Sequence, residues 1–571
     1  MYLRYVSPVS PFSVIVEKGD TYRFERSGTC PPAFPQRLPS VCPAFAQIGE
    51  LCHHGTAVHD KKLPQPMKRD SPIRGTKRDS PNGNAVPSGQ SPNIQSPNTP
   101  LPYVDHFGLS PADLRSVLGV ALASGGDFAE IFMEYRTYDF INMEEDIIKE
   151  TAEAVSIGLG IRVIRGDRTG FGYTNDLSLD KVLKAAQTAS AIARGKAAGA
   201  PPPALRDRTR ATSRYIVGRP AHKASLGAKM SLVREAYAAA QAFDKRIAKV
   251  KAHYSDSLKH MCIANSEGLL VRDTRPMVKL VCVAISEKDG KRESGYWGGG
   301  GRVGLEYFRD VLTPRRIGEE AAREAVLLLG AADAPAGEMP IVLAPGHSGV
   351  LIHEAVGHLL EADFSRKKTS VFWNKMGKRV GSPLVTIYDD PTVPSFRGSY
   401  NIDDEGTPPR KTLLIDKGIV RGLLQDKLSC RLMRGRLTGH GRREDYSCAP
   451  IPRMANTYIA AGEDAPEDIL RSVKKGFYVA SLSGGQVEDS GKFTFSVSLG
   501  YLIEDGKLTA PVKQATLIGT NIDILNKIDM VGTDLEFGLQ TGTCSKDGQD
   551  VPVTDGCPTL RIAKMTVGGT S

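Results

Sequence analysis

The distribution of apolar residues changes at Pro340, and this change constrains the fold more than any other feature of the chain. Before Pro340, some stretches repeat apolar residues at helical spacing and others alternate apolar with polar residues, which is typical of helices packed on sheets. After Pro340, one buried strand and one short helix precede many short strands separated by Gly, Asp and Pro turns. The pattern predicts an α+β protein whose last part is mainly β.

The chain has 571 residues, more than one hydrophobic core normally organises. Residues 1–102 are rich in proline and serine and predict a disordered extension, in which Met67 could be the true start. We predict an N-terminal α/β sandwich-like domain at 103–200 and a middle domain of helices on an antiparallel sheet at 214–331. A mainly β C-terminal domain is predicted at 336–571, and it carries the short helix.

Several elements before Pro340 can be placed from the sequence. Ser110 followed by Pro111 predicts the start of a helix. Alternation predicts a strand over FAEIFMEYRTYDFINME and a hairpin over AVSIGLGIRVIRGDRTGFGYTND. Further helices are predicted near 179–197, 226–243 and 315–329, and antiparallel strands at 247–254, 261–266, 269–275 and 278–287.

The net charge of +10 is spread thinly. Residues 1–110 hold 12 Lys and Arg against 8 Asp and Glu, so the rest of the chain carries +6. This weak excess does not favour specific nucleic-acid binding. No window approaches the roughly 18 consecutive apolar residues of a spanning helix, and the first residues lack the apolar core of a signal peptide. We therefore expect a cytoplasmic protein without nucleic-acid or membrane partners.

The nine cysteines are scattered and form no CxxC pair. A long chain does not need disulfides, so we expect reduced thiols, and a special cysteine would be a ligand or a nucleophile. Cys52, His53 and His54 lie together, but without partners at ligand spacing they do not predict a metal site.

The segment GHSGVLIHEAVGHLLEADF places His353, Glu354 and His358 on one short helix with apolar neighbours. Histidines four residues apart differ by about 40° around a helix, but histidines five apart differ by about 140°. Convergence of the two imidazoles on one ion therefore requires a π-type widening, for which Gly357 would supply backbone freedom. The alternative is that both histidines are satisfied polar groups on a half-buried helix.

The chain resembles the TldD/PmbA family of peptidases from about residue 110 to its C-terminus. The resemblance rests on HEAVGHLLEADF and on stretches such as NIDDEGTP, LQDKLSCRLM, PRMANTY, GGQVEDSGKFTFSVSLGYLIEDGK and PVKQATLIGT. Members of the TldD branch take their third zinc ligand from a cysteine in a GxC[SG]K[DE]GQ setting, which Gly542 to Gln549 match. The resemblance implies a Zn²⁺ site of His353, His358 and Cys544. Cys557, only thirteen positions after Cys544, could compete and is the second choice for the thiolate.

This resemblance implies a zinc metallopeptidase that cleaves unfolded or flexible peptides. Two imidazoles and one thiolate leave a fourth tetrahedral position open, and Glu354 would act as the general base on water. The alternatives are a non-catalytic zinc-stabilised scaffold and a regulatory subunit or binder. The family also implies a dimer with a metal-free TldE/PmbA-like paralogue, and a homodimer stays open.

Other polar groups near the motif have two interpretations each. His347 is expected to be a surface or capping residue. Glu361 and Asp363 would orient a histidine or, as the favoured interpretation, form a solvated helix end. His440 and the run Arg442, Arg443 and Glu444 would bind a peptide carboxylate or an oxyanion, or form a surface salt-bridge cluster.

The strand from Gly484 to Ile503 is the candidate substrate-binding element. An exposed strand edge can pair with an extended peptide through backbone hydrogen bonds. The alternative is an ordinary interior strand of the β domain.

Overall fold

The computed structural model describes residues 14–17, 106–193, 195, 201–210, 213–488 and 490–569. The predictions for Met67 and for Cys52, His53 and His54 lie outside these residues. In the described part of the chain, no helix is both long and apolar enough to cross a membrane.

The first half of the chain builds one eight-stranded sheet with helices. Its strands are β1 (Val14–Glu17), β2 (Phe128–Glu144), β3 (Ile147–Arg165), β4 (Arg168–Thr174), β5 (Arg206–Asp207), β6 (Ile247–Asn265), β7 (Leu269–Lys288) and β8 (Lys291–Gly301). Its helices are α1 (Pro111–Leu122), α2 (Leu179–Ile192), α3 (Leu226–Phe243), α4 (Tyr307–Asp310) and α5 (Pro314–Leu329), with a 3₁₀ turn at Ala221–Lys223. The strand order is β1-β4-β3-β2-β6-β7-β5, and β8 also pairs with β7.

Strand β2 joins the two segments that the sequence predicts as separate domains. It pairs with β3 on one side and with β6 on the other, where Glu130–Glu144 lie opposite Asn265–Lys251. The predicted antiparallel pairing is confirmed, but the strands predicted at 247–254 and 261–266 form one 19-residue strand. The stretch between the two predicted strands is polar, but it stays extended because β6 pairs with β2 on one side and with β7 on the other.

Local signals in the sequence account for the helix starts. The Ser110 side chain accepts a hydrogen bond from the Asp113 N–H, and the Asp113 side chain accepts one from the Ser110 N–H. The two bonds form a reciprocal capping box. The hydroxyls of Ser225 and Thr313 each accept one hydrogen bond from a backbone N–H in the first turn of α3 and α5, without the reciprocal bond. Helices α3 and α5 bury their apolar sides on one face of β6 and β7, while α1 and α2 pack on the part of the sheet formed by β2 to β4.

Strand β1 departs from the prediction that residues 1–102 are unstructured. Val14–Glu17 pair antiparallel with Thr169–Gly172 at the edge of the sheet. The sequence VIVE has the β-branched residues that favour such a strand.

The second half of the chain is mainly β, as predicted. Its strands are β9 (Ala332–Asp333), β10 (Gly337–Leu343), β11 (Ile387–Asp389), β12 (Thr412–Asp416), β13 (Ile419–Val420), β14 (Gly441–Arg442), β15 (Ile451–Pro452), β16 (Asn456–Ile459), β17 (Lys475–Val487), β18 (Lys492–Glu504), β19 (Lys507–Lys513), β20 (Ala515–Thr520), β21 (Ile528–Val531), β22 (Glu536–Phe537), β23 (Thr543–Lys546), β24 (Gln549–Pro552), β25 (Thr554–Cys557) and β26 (Leu560–Gly568). Its helices are α6 (Val350–Ile352), α7 (Ala362–Lys367), α8 (Lys427–Met433), α9 (Pro466–Arg471) and α10 (Asn521–Lys527).

Two sheets and one hairpin position the candidate site. One sheet has the order β17-β10-β26-β20-β18-β19-β9, with β21 beside β26, so that the first long strand of this half pairs with its last. The other sheet has the order β13-β12-β11-β16-β25-β22. Strands β23 and β24 form a separate hairpin. A single apolar cluster, which includes the short helix after β10, lies between these elements.

The candidate substrate strand divides into two parts. Strand β18 pairs with β17 on one side and with β19 and β20 on the other, so 492–503 are interior, as in the alternative interpretation. Strand β17 pairs with β10 only through Phe477–Val479. Its far half, from Ser481 to Val487, has no described strand on its outer side, and Ser483–Gln486 are exposed. The exposed edge therefore lies on β17.

Candidate metal centre

The histidine helix contains the widening that the spacing predicts. Helix α6 passes directly into a π-helical turn at His353–Gly357 and then into a 3₁₀ turn at His358–Leu360. The two imidazole rings lie 5.2 Å apart between centroids, with their planes at 84°. Leu351, Ile352 and Val356 anchor the other side of the helix in the core. The π turn thus places two histidines five residues apart on one side of the helix.

Gly357 has a different role from the one predicted. Its φ of −57° and ψ of −55° are ordinary helical values that any residue adopts. A Cβ at this position would lie 1.9 Å from Sδ of the buried Met454, so any larger residue would require that side chain to move. The prediction of backbone freedom is wrong, because close packing accounts for the glycine.

Cys544 meets both histidines from a position about 190 residues later in the chain. Its Sγ lies 3.3 Å from Nε2 of His358, and one ligand atom from each of the three residues lies within 4.8 Å of the others. A tetrahedral ion with Zn–S near 2.3 Å and Zn–N near 2.0–2.1 Å separates sulfur from nitrogen by about 3.5 Å. The three buried side chains therefore fit one zinc-sized ion. No other group of three His, Cys, Asp or Glu side chains converges in this way among the described residues.

A carboxylate fixes each imidazole from behind. Nδ1 of His353 lies 2.8 Å from Oδ1 of Asp555, and Nδ1 of His358 lies 3.1 Å from Oε2 of Glu361. Such contacts hold Nδ1 protonated and leave Nε2 as the ligand atom. The sequence did not single out Asp555, and the favoured interpretation of Glu361 as part of a solvated helix end is wrong, because Glu361 is fully buried.

Lys546 ties the cysteine hairpin to the histidine helix. Its Nζ donates hydrogen bonds to Glu361 (2.9 Å), to Asp363 (2.8 Å) and to the carbonyl oxygen of Pro452 (3.2 Å). Asp363 is buried as well, so the solvated interpretation is wrong for it too. Lys546 and Cys544 both lie on β23. One short strand thus supplies the thiol and a cation that neutralises the carboxylate behind His358.

The side chains around the thiol favour its ionised form. Burial alone would raise the pKa of Cys544, but His358 and His353 hold it well below its usual range. Burial likewise opposes the charge on His358, yet Cys544 and Glu361 raise the pKa of that histidine to about 10. A thiolate is the form of cysteine that binds metal ions. The protein therefore holds Cys544 ready as a ligand.

Glu354 lies on the open side of this cluster. Its Oε2 is 3.7 Å from Nε2 of His358, and its side chain is 19% exposed. Burial raises its pKa, although His353 and His358 oppose that rise. A carboxylate with a raised pKa next to a possible metal ion has the properties of a general base.

The structure brings Cys544, and not Cys557, to the histidines. Cys557 is fully buried, and its thiol donates a hydrogen bond to the carbonyl oxygen of Pro558 at 3.0 Å. Burial raises its pKa, which disfavours the thiolate. His347 begins the 3₁₀ turn before the helix and packs against Gly538, so it is half-buried and not the surface residue expected.

The run around His440 is structural. His440 is buried, with Nε2 2.8 Å from Oδ1 of Asp389. Arg442 donates to the carbonyl oxygens of Met454 and Pro552, and Arg443 donates to Glu130 at 2.8 Å. The interpretation as a surface salt-bridge cluster is wrong for His440, Arg442 and Arg443, because all three are buried and the Nη atoms of the arginines donate to protein groups. Glu444 accepts from the Asp550 N–H at 3.1 Å.

Arg453 is a further buried residue that the sequence did not single out. Its guanidinium donates to the carbonyl oxygens of Cys544 and Gln549, one on each strand of the β23–β24 hairpin. The two bonds fix the backbone of the candidate ligand. PRMANTY contains this arginine, but nothing in the sequence shows which carbonyls it reaches.

Comparison with known proteins covers most of the described region. Family models described as PmbA/TldA metallopeptidase domain 1, central domain and C-terminal domain match residues 129–193, 219–329 and 336–569. A protein named metalloprotease TldD homolog from Haemophilus influenzae is 42% identical over 468 residues, which are 81% of this chain and 97% of that protein. A metalloprotease of Methanocaldococcus jannaschii is 35% identical over 76% of this chain and 95% of its own length.

Solved structures share the fold. A candidate modulator of a DNA gyrase from Thermotoga maritima has a TM-score of 0.64 and 24% identity, covering 77% of this chain and 96% of that one. TldE from Thermococcus kodakarensis has a TM-score of 0.61 and 21% identity, covering 78% of this chain and 97% of that one. At these identities the likeness concerns the α+β fold alone.

Proposed function

The chain belongs to the PmbA/TldD metallopeptidase family, and we propose that it is a zinc-dependent peptidase that hydrolyses unfolded or flexible peptides. The observation that carries the proposal is the convergence of His353, His358 and Cys544 beside the half-buried Glu354. Three protein ligands leave one position open, as in catalytic zinc sites, whereas structural sites usually have four protein ligands.

His353, His358 and Cys544 would hold the ion through Nε2, Nε2 and Sγ. Zinc, when bound, supplies a Lewis acid that acidifies water and polarises a peptide carbonyl. The Glu354 carboxylate accepts the proton from the attacking water and later delivers it to the leaving amine. Asp555 and Glu361 keep the imidazoles in place while this proton moves.

The exposed edge of β17 is the proposed place for the substrate backbone. Strand β17 contacts the π turn of the histidine helix, and Ser483–Gln486 of its edge are open to solvent. A peptide paired with this edge would run beside the metal centre with little selection of side chains. Hydrogen exchange of the amides in 481–487 should slow when an uncleaved peptide binds to Glu354→Gln, and unchanged exchange would exclude this edge.

The substitution Glu354→Gln tests the catalytic proposal against a non-catalytic zinc scaffold. We expect the variant to keep one equivalent of zinc and to lose at least about 100-fold in the rate of hydrolysis of a denatured protein, because an amide cannot accept the proton. Glu463→Gln, at an exposed site of the same half, is the matched control. Cleavage by Glu354→Gln at the control rate would show that Glu354 is not the base.

A dimer is also proposed, with a TldE/PmbA-like paralogue or with a second copy of this chain. The likeness of its fold to a TldE supports a related partner. Light scattering of the purified protein, alone and mixed with such a paralogue, distinguishes the two arrangements, and a monomer in both samples would exclude them.

A regulatory role is the alternative if the partner, and not this chain, hydrolyses the peptide. The cytoplasmic location and the lack of a nucleic-acid partner stay predictions.

A further inference from the structure

The sheet of the first half has one face that its helices do not cover. Side chains of Val278, Leu280 and Cys282 on β7 pack against α3 and α5, so Met277 and Lys279 point to the opposite face. On β8, Gly300 and Gly298 lie opposite Lys279 and Val281 on this second face. Both glycines are closely packed, because a Cβ at Gly300 would lie 2.0 Å from the carbonyl oxygen of Val278 and a Cβ at Gly298 would lie 2.4 Å from Cγ1 of Val281. Lys279 is half-buried beside them.

Arg397, on the loop between β11 and β12, reaches this face. Its Nη1 lies 3.6 Å from Sδ of Met277, which is two residues before Lys279 on the same side of the strand. Arg397 is only 7% exposed. The hydroxyl-bearing rings of Tyr296 and Tyr307 lie near its guanidinium.

These two cations have no anionic partner in the described part of the chain. No carboxylate there lies within ion-pair distance of Arg397 or Lys279, whereas the buried Arg162 and Arg275 have one and the buried Arg302 and Arg453 do not. Burial, followed by the charge of Arg397, lowers the pKa of Lys279 to about 8. Like charges held together in a partly buried place are costly unless an anion joins them.

Arg397 lies against the segment that leads to Cys544. Nε of Arg397 donates to the carbonyl oxygen of Gly542 at 3.3 Å, two residues before the cysteine. The hydroxyls of Tyr296 and Thr541 are 2.9 Å apart, which joins β8 to the same segment. An anion bound by Arg397 and Lys279 would therefore lie close to the peptide held at the metal centre.

We propose that Arg397 and Lys279 form a subsite for a carboxylate group of the peptide substrate. The inference rests on the proposed peptidase function and adds a substrate class, namely peptides with an acidic side chain or a free C-terminal carboxylate near the cleaved bond. The planar guanidinium offers paired donors to a carboxylate, and Lys279 adds a second charge.

Three unfolded peptides of one sequence test the subsite and distinguish the two sources of the carboxylate. One is neutral with an amidated C-terminus, one has a glutamate and an amidated C-terminus, and one is neutral with a free C-terminus. Wild type should cleave one of the two carboxylate peptides about tenfold better in kcat/KM than the neutral peptide, the gain expected from a charged hydrogen bond. The better peptide identifies the source.

The variants Lys279→Gln and Arg397→Lys should reduce that preference. We expect Lys279→Gln to lose most of the tenfold ratio, and Lys288→Gln, at the exposed end of the same strand, to keep it. Because Arg397 also holds Gly542, the zinc content of Arg397→Lys is measured alongside its preference. Equal cleavage of all three peptides by wild type, or equal ratios in Lys279→Gln and Lys288→Gln, would overturn the subsite.

Binding supplies a readout that does not depend on turnover. In the Glu354→Gln background, fluorescence anisotropy should give an about tenfold lower Kd for the preferred carboxylate peptide, and Lys279→Gln should abolish the difference. A lack of cleavage of all peptides with the binding difference intact would overturn the peptidase and leave the anion subsite. Cleavage without any difference in Kd between the peptides would overturn the anion subsite and leave the peptidase.

Discussion

Cys544 and Cys557 show how neighbouring atoms decide which of two buried cysteines can bind a metal ion. Burial opposes ionisation of both thiols, but two imidazoles hold the pKa of Cys544 well below its usual range, whereas burial and the charge of Asp534 raise the pKa of Cys557. Metal binding requires the thiolate, so the two residues have opposite chemistry although they have the same burial.

Replacement of the two cysteines should separate these roles. We expect Cys544→Ser to lose stoichiometric zinc, because a neutral hydroxyl is a poor substitute for a thiolate ligand. Cys557→Ser is the matched control and should keep the metal. Elemental analysis of both purified variants checks this result, and full zinc content in Cys544→Ser would move the third ligand elsewhere.

Asp555 should contribute to metal affinity without touching the ion. Asp555→Asn keeps the size of the side chain but weakens the hold on Nδ1 of His353, so we expect zinc affinity to fall by about 10- to 100-fold. Competition with a chelator measures the change. Asp547→Asn, an exposed position with a φ of 50° that asparagine tolerates, is the control. If the two variants have equal affinity, the orientation by Asp555 is unimportant.

At this scale, the residues that we propose to carry the chemistry could be singled out from the sequence, and the residues that position them could not. His353, Glu354, His358 and Cys544 lie in motifs whose letters indicate metal binding. Asp555 is 202 residues from His353, and Lys546 is 185 from Glu361. A single Asp or Lys has no spacing to interpret, so only the fold shows that these pairs meet.

The π turn is the element on which the centre depends. A regular helix would direct the two imidazoles apart, so the spacing of five residues predicted the widening correctly. The sequence could not show that Met454 presses on the turn, because that contact joins the helix to a loop about 100 residues later. The spacing therefore indicates correctly that Gly357 is important for the turn. The reason is close packing against Met454 and not backbone freedom.

Gly357→Ala distinguishes the packing explanation from backbone freedom. Alanine in a regular helix is normally favoured over glycine by about 1 kcal/mol. Overpacking against Met454 costs about 1–3 kcal/mol, so we expect a net loss of stability in urea unfolding. In the Met454→Ala background the same substitution should cost less or stabilise. A stabilising effect in the wild-type background would contradict the packing explanation.

Strand existence was predicted better than strand partnership. Strand β18 alternates as an exposed strand would, but it has partners on both sides. The open edge belongs to β17, whose SLSGGQ segment has little strand propensity of its own. Alternation identifies the faces of a strand, and it carries no information about which neighbours the strand acquires.

A buried ionic network connects the two halves of the molecule. Arg162 on β3 contacts both Glu130 on β2 and Glu405 of the NIDDEGTP loop, and Arg275 on β7 contacts Asp404 of the same loop at 2.7 Å. Glu405 is fully buried, and this burial raises its pKa from 4.5 to about 8. The junction therefore carries a protonatable carboxyl group.

The stability of the molecule should depend on the protonation of Glu405. Because its pKa is higher in the folded than in the unfolded chain, the stabilising proton is fully bound below about pH 4.5 and is lost as the pH rises towards 8. The Tm of wild type, relative to that of Glu405→Gln, should fall between about pH 5 and pH 9. Glu463→Gln should follow wild type throughout. If the difference in Tm between wild type and Glu405→Gln is the same at every pH, the proposed dependence on Glu405 protonation is contradicted.

Pairing of β10 with β26 has a consequence for the protein during its synthesis. The strand before the histidine helix rests on Leu560–Val567, and the thiol and the carboxylate behind His353 come from 544 and 555. A chain that has left the ribosome only as far as residue 540 has its two histidines but neither of those groups. The proposed metal centre is thus completed only after the segment with Cys544 and Asp555 has been synthesised, so a nascent chain without this segment lacks the full ligand set.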